Sequence, residues 1–246
     1  MNQSVNVKEF ARIMVNRLDE VKRLVFSQKN DIDSDFPSWK SKREENQGDY
    51  LAHDSRRELF VSIVTIIENA QLSYMLLGDH LTDNNWWNQR LEEVSESKKS
   101  SVQKEYAIMI KWFVLHSLFS VVEETLRSIQ RSSPDVFVVN GRFKSIAKIT
   151  ESILSNSAKT EYQELFKLVR LTRNTIHTNG VFLPENGDNV TINYQEIDFV
   201  FNVGGALEWL DDQTAVWFID AISTAMNSII RSNVISEIDY CPRTMM

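Results

Sequence analysis

The residues whose types and spacing could do chemistry lie between 161 and 179, in EYQELFKLVRLTRNTIHTN. At about 100° per residue, Arg170, Arg173, Asn174 and His177 fall within one arc roughly 100° wide, while Leu165, Leu168, Val169, Thr172 and Ile176 cluster opposite. An imidazole exchanges protons near neutral pH, and guanidinium groups fork onto phosphate oxygens; together they are what metal-free phosphodiester cleavage requires. The amide of Asn174 could hold a ribose or phosphate oxygen, or orient the imidazole three residues on. A solvated helix face carries the same residue types, and a His near a helix C-terminus is favoured by the macrodipole. Spacing alone therefore leaves a catalytic face and a merely solvated one both open.

Other chemistries have less to stand on. Cys241 is the single cysteine, so neither a disulfide framework nor a Cys-rich zinc site is expected within one chain, and a reducing compartment is. His53, His80 and His116 show no HxxxH or HExxH spacing, so no metal is expected. No GxSxG elbow frames a serine, and no GxxxxGK[ST] loop could cradle a phosphate, so no cofactor is expected either. Glu123 and Glu124 could meet an arginine of the 161–179 segment or pair locally with Arg127. Trp86 and Trp87 read as anchors near a helix boundary more readily than as a base-stacking platform.

The elements that must position the polar face are helical. Seven glycines and four prolines in 246 residues are too few for sandwiches, barrels or dinucleotide folds, which spend glycine on turns. Asn6 with Glu9 resembles a capping box, and the apolar period then predicts a helix over about 7–28. Residues 30–48 read as a loop, 50–77 as a second helix stopped by Gly78, and 102–131 as a third. The apolar stretch 59–77 carries Glu68, Asn69 and Gln71, which predicts a buried helix and no membrane span. The polar run SESKKSS marks a candidate boundary between 1–100 and 101–246. DVFVV reads as extended, Asn140-Gly141 as a turn, 143–155 as a helix, and 161–179 as the polar-faced helix stopped by Gly180. Residues 181–194 predict a hairpin turning at Asn186 to Asp188, with a further strand in QEIDFVFNVGG, inside an insertion at about 181–202. A final helix should run from Asp211 or Asp212 to about 235.

The first fifteen residues carry Lys8, Glu9 and Arg12 where a secretory signal would be apolar, so the expected location is the cytoplasm. The formal charge of −7 argues against indiscriminate binding to nucleic acid and confines any RNA site to a local patch.

LVRLTRNTIHTNG resembles the signature of HEPN domains, an arginine, usually with a polar follower, then four to six residues and a histidine. Arg173 has the polar follower Asn174 with three residues before His177; Arg170 has six, with Leu171 following. HSLFSVVEETLRSI, at 116–129, is similar to an early helix of that family with its acidic residue, and the likeness extends over about 105–235. The resemblance implies an all-α helical bundle, with an added N-terminal helical region and a small β-hairpin between the last two helices. It also implies a metal-independent endoribonuclease of the toxin or antiviral-defence type, cutting single-stranded RNA through 2′-hydroxyl attack. His177 would be general acid or base, and Arg173 with Arg170 would hold the phosphate. The site would be a composite of a homodimer, and an antitoxin or regulatory protein could accompany it. The alternative is a catalytically inactive HEPN-like module that binds a partner protein or a nucleotide.

Overall fold

The computed structural model describes residues 6–40, 54–91, 94–139 and 145–242, and the fold is all-α with one two-stranded antiparallel sheet. The helices are α1 (Val7–Asp35), α2 (Ser55–Asp79), α3 (Asn84–Arg90), α4 (Glu96–Ser132), α5 (Ile146–Asn156), α6 (Gln163–His177), α7 (Asp212–Ile230) and α8 (Asn233–Ser236). The strands β1 (Val190–Tyr194) and β2 (Ile197–Phe201) form a hairpin between α6 and α7. Side-chain N-caps start most of the long helices: Asn6, Asp54, Ser95, Ser145 and Asp211 each accept a backbone N–H of the first turn. Such caps are each worth about 1 kcal/mol.

α1 and α2 lie antiparallel, as their cross-contacts show: Arg57 Nε donates to Asp33 Oδ1 at 2.6 Å, Lys22 meets Glu68 at 3.0 Å, and Gln71 Nε2 donates to the Val15 carbonyl at 3.4 Å. Gly78 closes this pair. A Cβ there would stand 3.0 Å from that of Ala11, so its place in the sequence reflects close helix approach, and α2 continues to Asp79 instead of stopping at a left-handed glycine. α4 packs on α2 and α7, and α5 and α6 lie against the C-terminal half of α4. Ile63, Ile67, Leu118, Phe119, Ile129, Leu168, Phe218 and Ile222 are buried in one connected core. Each contributes about 1.5–3 kcal/mol by leaving water. α2 and α4 are each long and apolar enough to cross a bilayer; α2 packs between α1 and α4, with Leu72, Met75 and Leu76 left exposed.

Several local expectations are corrected. α1 runs to Asp35, because Ile32 is buried and Lys29 pairs with Asp33 at 2.8 Å, and residues 37–40 are helical again; 41–48 lie outside the described residues. The run Ser95–Ser101 is the cap and opening turns of α4, where the Lys99 ammonium meets Asn84 and Glu96 at 2.7 Å each. DVFVV is no strand: Phe137 is buried, and its N–H and carbonyl are taken by Ser133 and Gln130. Asn140-Gly141 lies outside the described residues. The hairpin turns at Gln195 and Glu196, both at positive φ (51° and 64°), and pairs Val190 with Phe201 through Tyr194 with Ile197. Asn186 to Asp188 is a loop before β1, and Val181 makes only an isolated bridge to Ala206. An aromatic cluster fixes the hairpin to α7: Phe199 stacks on Trp217 at 5.5 Å, and Trp209 meets Phe199 and Phe201 edge-on at 5.0 and 5.4 Å.

The segment after α7 folds back onto the start of α2. Arg56, fully buried, donates Nε and Nη2 to the two oxygens of Asp54 at 2.9 and 2.7 Å. Its Nη1 donates to the carbonyls of Ile235 and Ile238, both at 2.8 Å, and its guanidinium lies 3.7 Å from the centre of the Trp39 ring. Ser55 N–H donates to the Cys241 carbonyl at 2.8 Å, and Asp54 bridges to Pro242. Every side-chain nitrogen and oxygen of this buried pair thus has a hydrogen-bond partner, which is the condition under which an internal ion pair is tolerated.

Candidate functional site

α6 forms because its apolar residues repeat at helical spacing: Leu165, Phe166, Leu168, Val169, Thr172 and Thr175 are buried. The helix ends at His177 through two consecutive left-handed residues, Asn179 (φ 58°) and Gly180 (φ 82°). The Gly180 N–H reaches back to the Thr175 carbonyl at 2.9 Å, which satisfies an end-of-helix acceptor as a C-terminal glycine does. Gly180 therefore has the terminating role expected of it, and the stop leaves His177 in the last turn with an exposed ring.

The four polar residues do not share one environment. Arg173 Nη1 donates to Glu123 Oε2 on α4 at 2.7 Å, while Arg127 donates Nε and Nη2 to Glu123 Oε1 at 2.9 and 2.8 Å. Glu123, buried, therefore meets both the local partner and the α6 arginine. Arg170 is exposed and makes no ion pair among the described residues; with Arg173 it lines a cavity of about 300 Å³ between α4, α5 and α6, floored by Phe119, Leu126, Leu154 and Phe166. Asn174 is exposed, and its side chain has no hydrogen bond among the described residues.

His177 is not among the residues lining that cavity and meets His116 of α4, the ring centroids 5.6 Å apart and the planes at 73°. Partial loss of hydration holds the His177 imidazole below its ordinary value, helped by the positive charge of Arg173 and by His116, with Glu123 opposing. The ring is thereby biased to the neutral form, able to accept a proton at neutral pH. His116, exposed, lines an open groove of about 580 Å³ with Met109, Phe113, Ile176 and Asn179.

α4 and α6 thus make two rungs, Glu123 with Arg173 and His116 with His177. His116 and Glu123 are seven residues apart and share a face of α4, as Arg173 and His177 share a face of α6. The i, i+7 spacing of His116 and Glu123 was the signal that could have found His116; metal-ligand spacing was the wrong template for it. Trp87 is buried, with its indole N–H on the Leu81 carbonyl at 3.0 Å, as an anchor would be. Among the described residues no group of three His, Cys, Asp or Glu side chains converges as a metal site would require; His53 lies outside them.

The chain matches no protein-family model, no curated protein and no solved structure.

Proposed function

We propose that the protein is a HEPN-like, metal-independent endoribonuclease of the toxin or antiviral-defence type, acting on single-stranded RNA in the cytoplasm. The observation that carries this reading is the pairing of a proton-exchanging imidazole, His177, with a guanidinium, Arg173, one turn away on the same helix face. Glu123 holds that guanidinium in place. His177 acts as general acid or base. Arg173, joined by Arg170 across the cavity rim, binds the scissile phosphate and offsets the charge that builds up in the transition state. Attack by the neighbouring 2′-hydroxyl leaves a 2′,3′-cyclic phosphate and a 5′-hydroxyl, which restricts the substrate to RNA. The reading includes a homodimer, as the resemblance implies. An antitoxin or regulatory protein would restrain such an activity.

The test is cleavage of single-stranded RNA by the wild type beside His177→Ala, in the presence of EDTA. Cyclic-phosphate products from the wild type, with DNA of the same sequence untouched and at least a hundredfold loss in the variant, are expected. Activity that EDTA abolishes and Mg²⁺ restores overturns the assignment. One observation favours the second reading, a catalytically silent module binding a partner protein or nucleotide: the Arg173 charge is already engaged by Glu123. Intact RNA under all these conditions would leave that reading standing.

A further inference from the structure

Cleavage by 2′-hydroxyl attack moves two protons. One leaves the 2′-oxygen as it bonds to phosphorus, and one must reach the 5′-oxygen as its bond to phosphorus breaks. A single imidazole cannot hold a proton and accept one in the same step, so a site with one histidine must borrow a second group. α4 supplies one from the same chain. His116 stands with its ring centroid 5.6 Å from that of His177, both side chains are exposed, and the groove beside them opens to solvent. Each imidazole is within the span over which one phosphodiester can be touched from two sides, since a proton-transfer group works at about 3 Å from the atom it serves.

We propose that His116 is the second acid–base residue of the reaction, so that each chain carries a complete proton-transfer pair and a dimer holds two whole sites. This rests on the endoribonuclease reading and adds to it that the second copy need not contribute a histidine. His177, kept neutral, takes the 2′-hydroxyl proton; the 2′-oxygen attacks phosphorus; the bond to the 5′-oxygen breaks; and His116, entering as imidazolium, gives that oxygen its proton. Both rings end with their protons exchanged, and solvent restores them. The charged groups facing His177 are Arg173 on its own helix and Glu123 and His116 on α4. Around His116 the groove is otherwise uncharged, with Met109, Phe113, Ile176 and Asn179 as its neighbours. The positive charge of Arg173 therefore falls on the base, where it keeps the proton off.

The experiment compares the full-length wild type with His116→Ala, His116→Gln and His177→Ala on two substrates: single-stranded RNA, and a ribonucleoside 3′-phosphate ester of p-nitrophenol, whose leaving group departs without a proton. On RNA, both alanine variants are expected to lose about 10²–10⁴-fold in kcat. The bell-shaped pH profile of the wild type should lose one limb in each. On the activated ester, His116→Ala and His116→Gln should stay within about tenfold of wild type, while His177→Ala remains crippled. Mixing His116→Ala with His177→Ala chains should not restore RNA cleavage, because neither chain holds a complete pair. Both His116 variants sit on an exposed position, and circular dichroism and Tm check that they fold. A wild type that cuts RNA while His116→Ala cuts it equally well overturns this assignment and leaves the endoribonuclease reading intact. Recovery of activity in the mixture also overturns it, since the pair would then form between chains. A wild type that cuts neither substrate overturns both.

Discussion

Arg173 and Arg170 differ in what they touch, and that difference decides which should matter more to the reaction. Arg173 is held by Glu123 and close enough to depress the His177 imidazole, whereas Arg170 looks into the cavity shared with α5. Arg173→Ala should therefore lower kcat by about 10²–10³-fold, as loss of a preorganised donor does, and Arg170→Ala by less. The same variants have a spectroscopic sign. Removing the Arg173 charge raises the His177 pKa, because a positive neighbour no longer opposes protonation; Glu123→Gln lowers it, because the one favourable charge is lost. Titration of the His177 ring by NMR checks both directions, and a larger catalytic loss from Arg170→Ala would reverse the assignment. At this scale the sequence was readable only along one helix. Arg170, Arg173, Asn174 and His177 share an arc by periodicity, but that Arg173 takes Glu123, or that His177 takes His116 from 61 residues away, depends on how α4 and α6 cross.

Elements were legible where a residue acts through its own neighbours in sequence and illegible where it acts through a distant one. Asn6 caps α1 by accepting the Lys8 N–H at 3.0 Å, as its position suggests, although Glu9 turns to Arg12 and does not complete a capping box. Gly180 stops α6 for the same local reason, whereas Gly78 answers to Ala11 on another helix, and nothing in its neighbourhood along the chain says so. The hairpin is the sharpest case. Asn186-Gly187 carries the familiar turn chemistry and does turn, with Gly187 at φ 72° and its N–H on the Pro184 carbonyl at 3.2 Å, yet the two strands are joined at Gln195-Glu196, two residues that rarely adopt positive φ, in the register held by the aromatic cluster packed against α7. Local preference is overruled by packing, and the conflict leaves strain that can be relieved. Replacing Gln195-Glu196 by Asn-Gly should stabilise the protein by about 1 kcal/mol and raise Tm by about 2–4 °C, read by thermal denaturation, with the fold unchanged.

Across the whole molecule, the junction at Asp54 and Arg56 is where the N-terminal helices and the end of the chain hold each other. Arg56→Met keeps the volume but strands Asp54 and two carbonyls in a dry interior, and it should cost about 3–5 kcal/mol, a large share of the 5–15 kcal/mol that folded domains possess. Cys241 offers the measurement. Its thiol is buried at the same junction, and burial pushes its pKa up to about 11, so it should resist alkylation in the wild type and react readily in Arg56→Met. Unchanged protection would mean the junction carries less than its geometry suggests. The carbonyl partners of Arg56 are also distant in sequence, 179 and 182 residues away at Ile235 and Ile238. On the ribosome, then, α1, α2 and α4 emerge long before the carbonyls that Arg56 requires. A chain interrupted anywhere ahead of Ile235 leaves the Nη1 of Arg56 without its two carbonyl acceptors, and such a fragment is exposed to proteolysis from the moment it is released. Translation past Ile238 is in this sense a condition of release into the folded pool, imposed by one arginine.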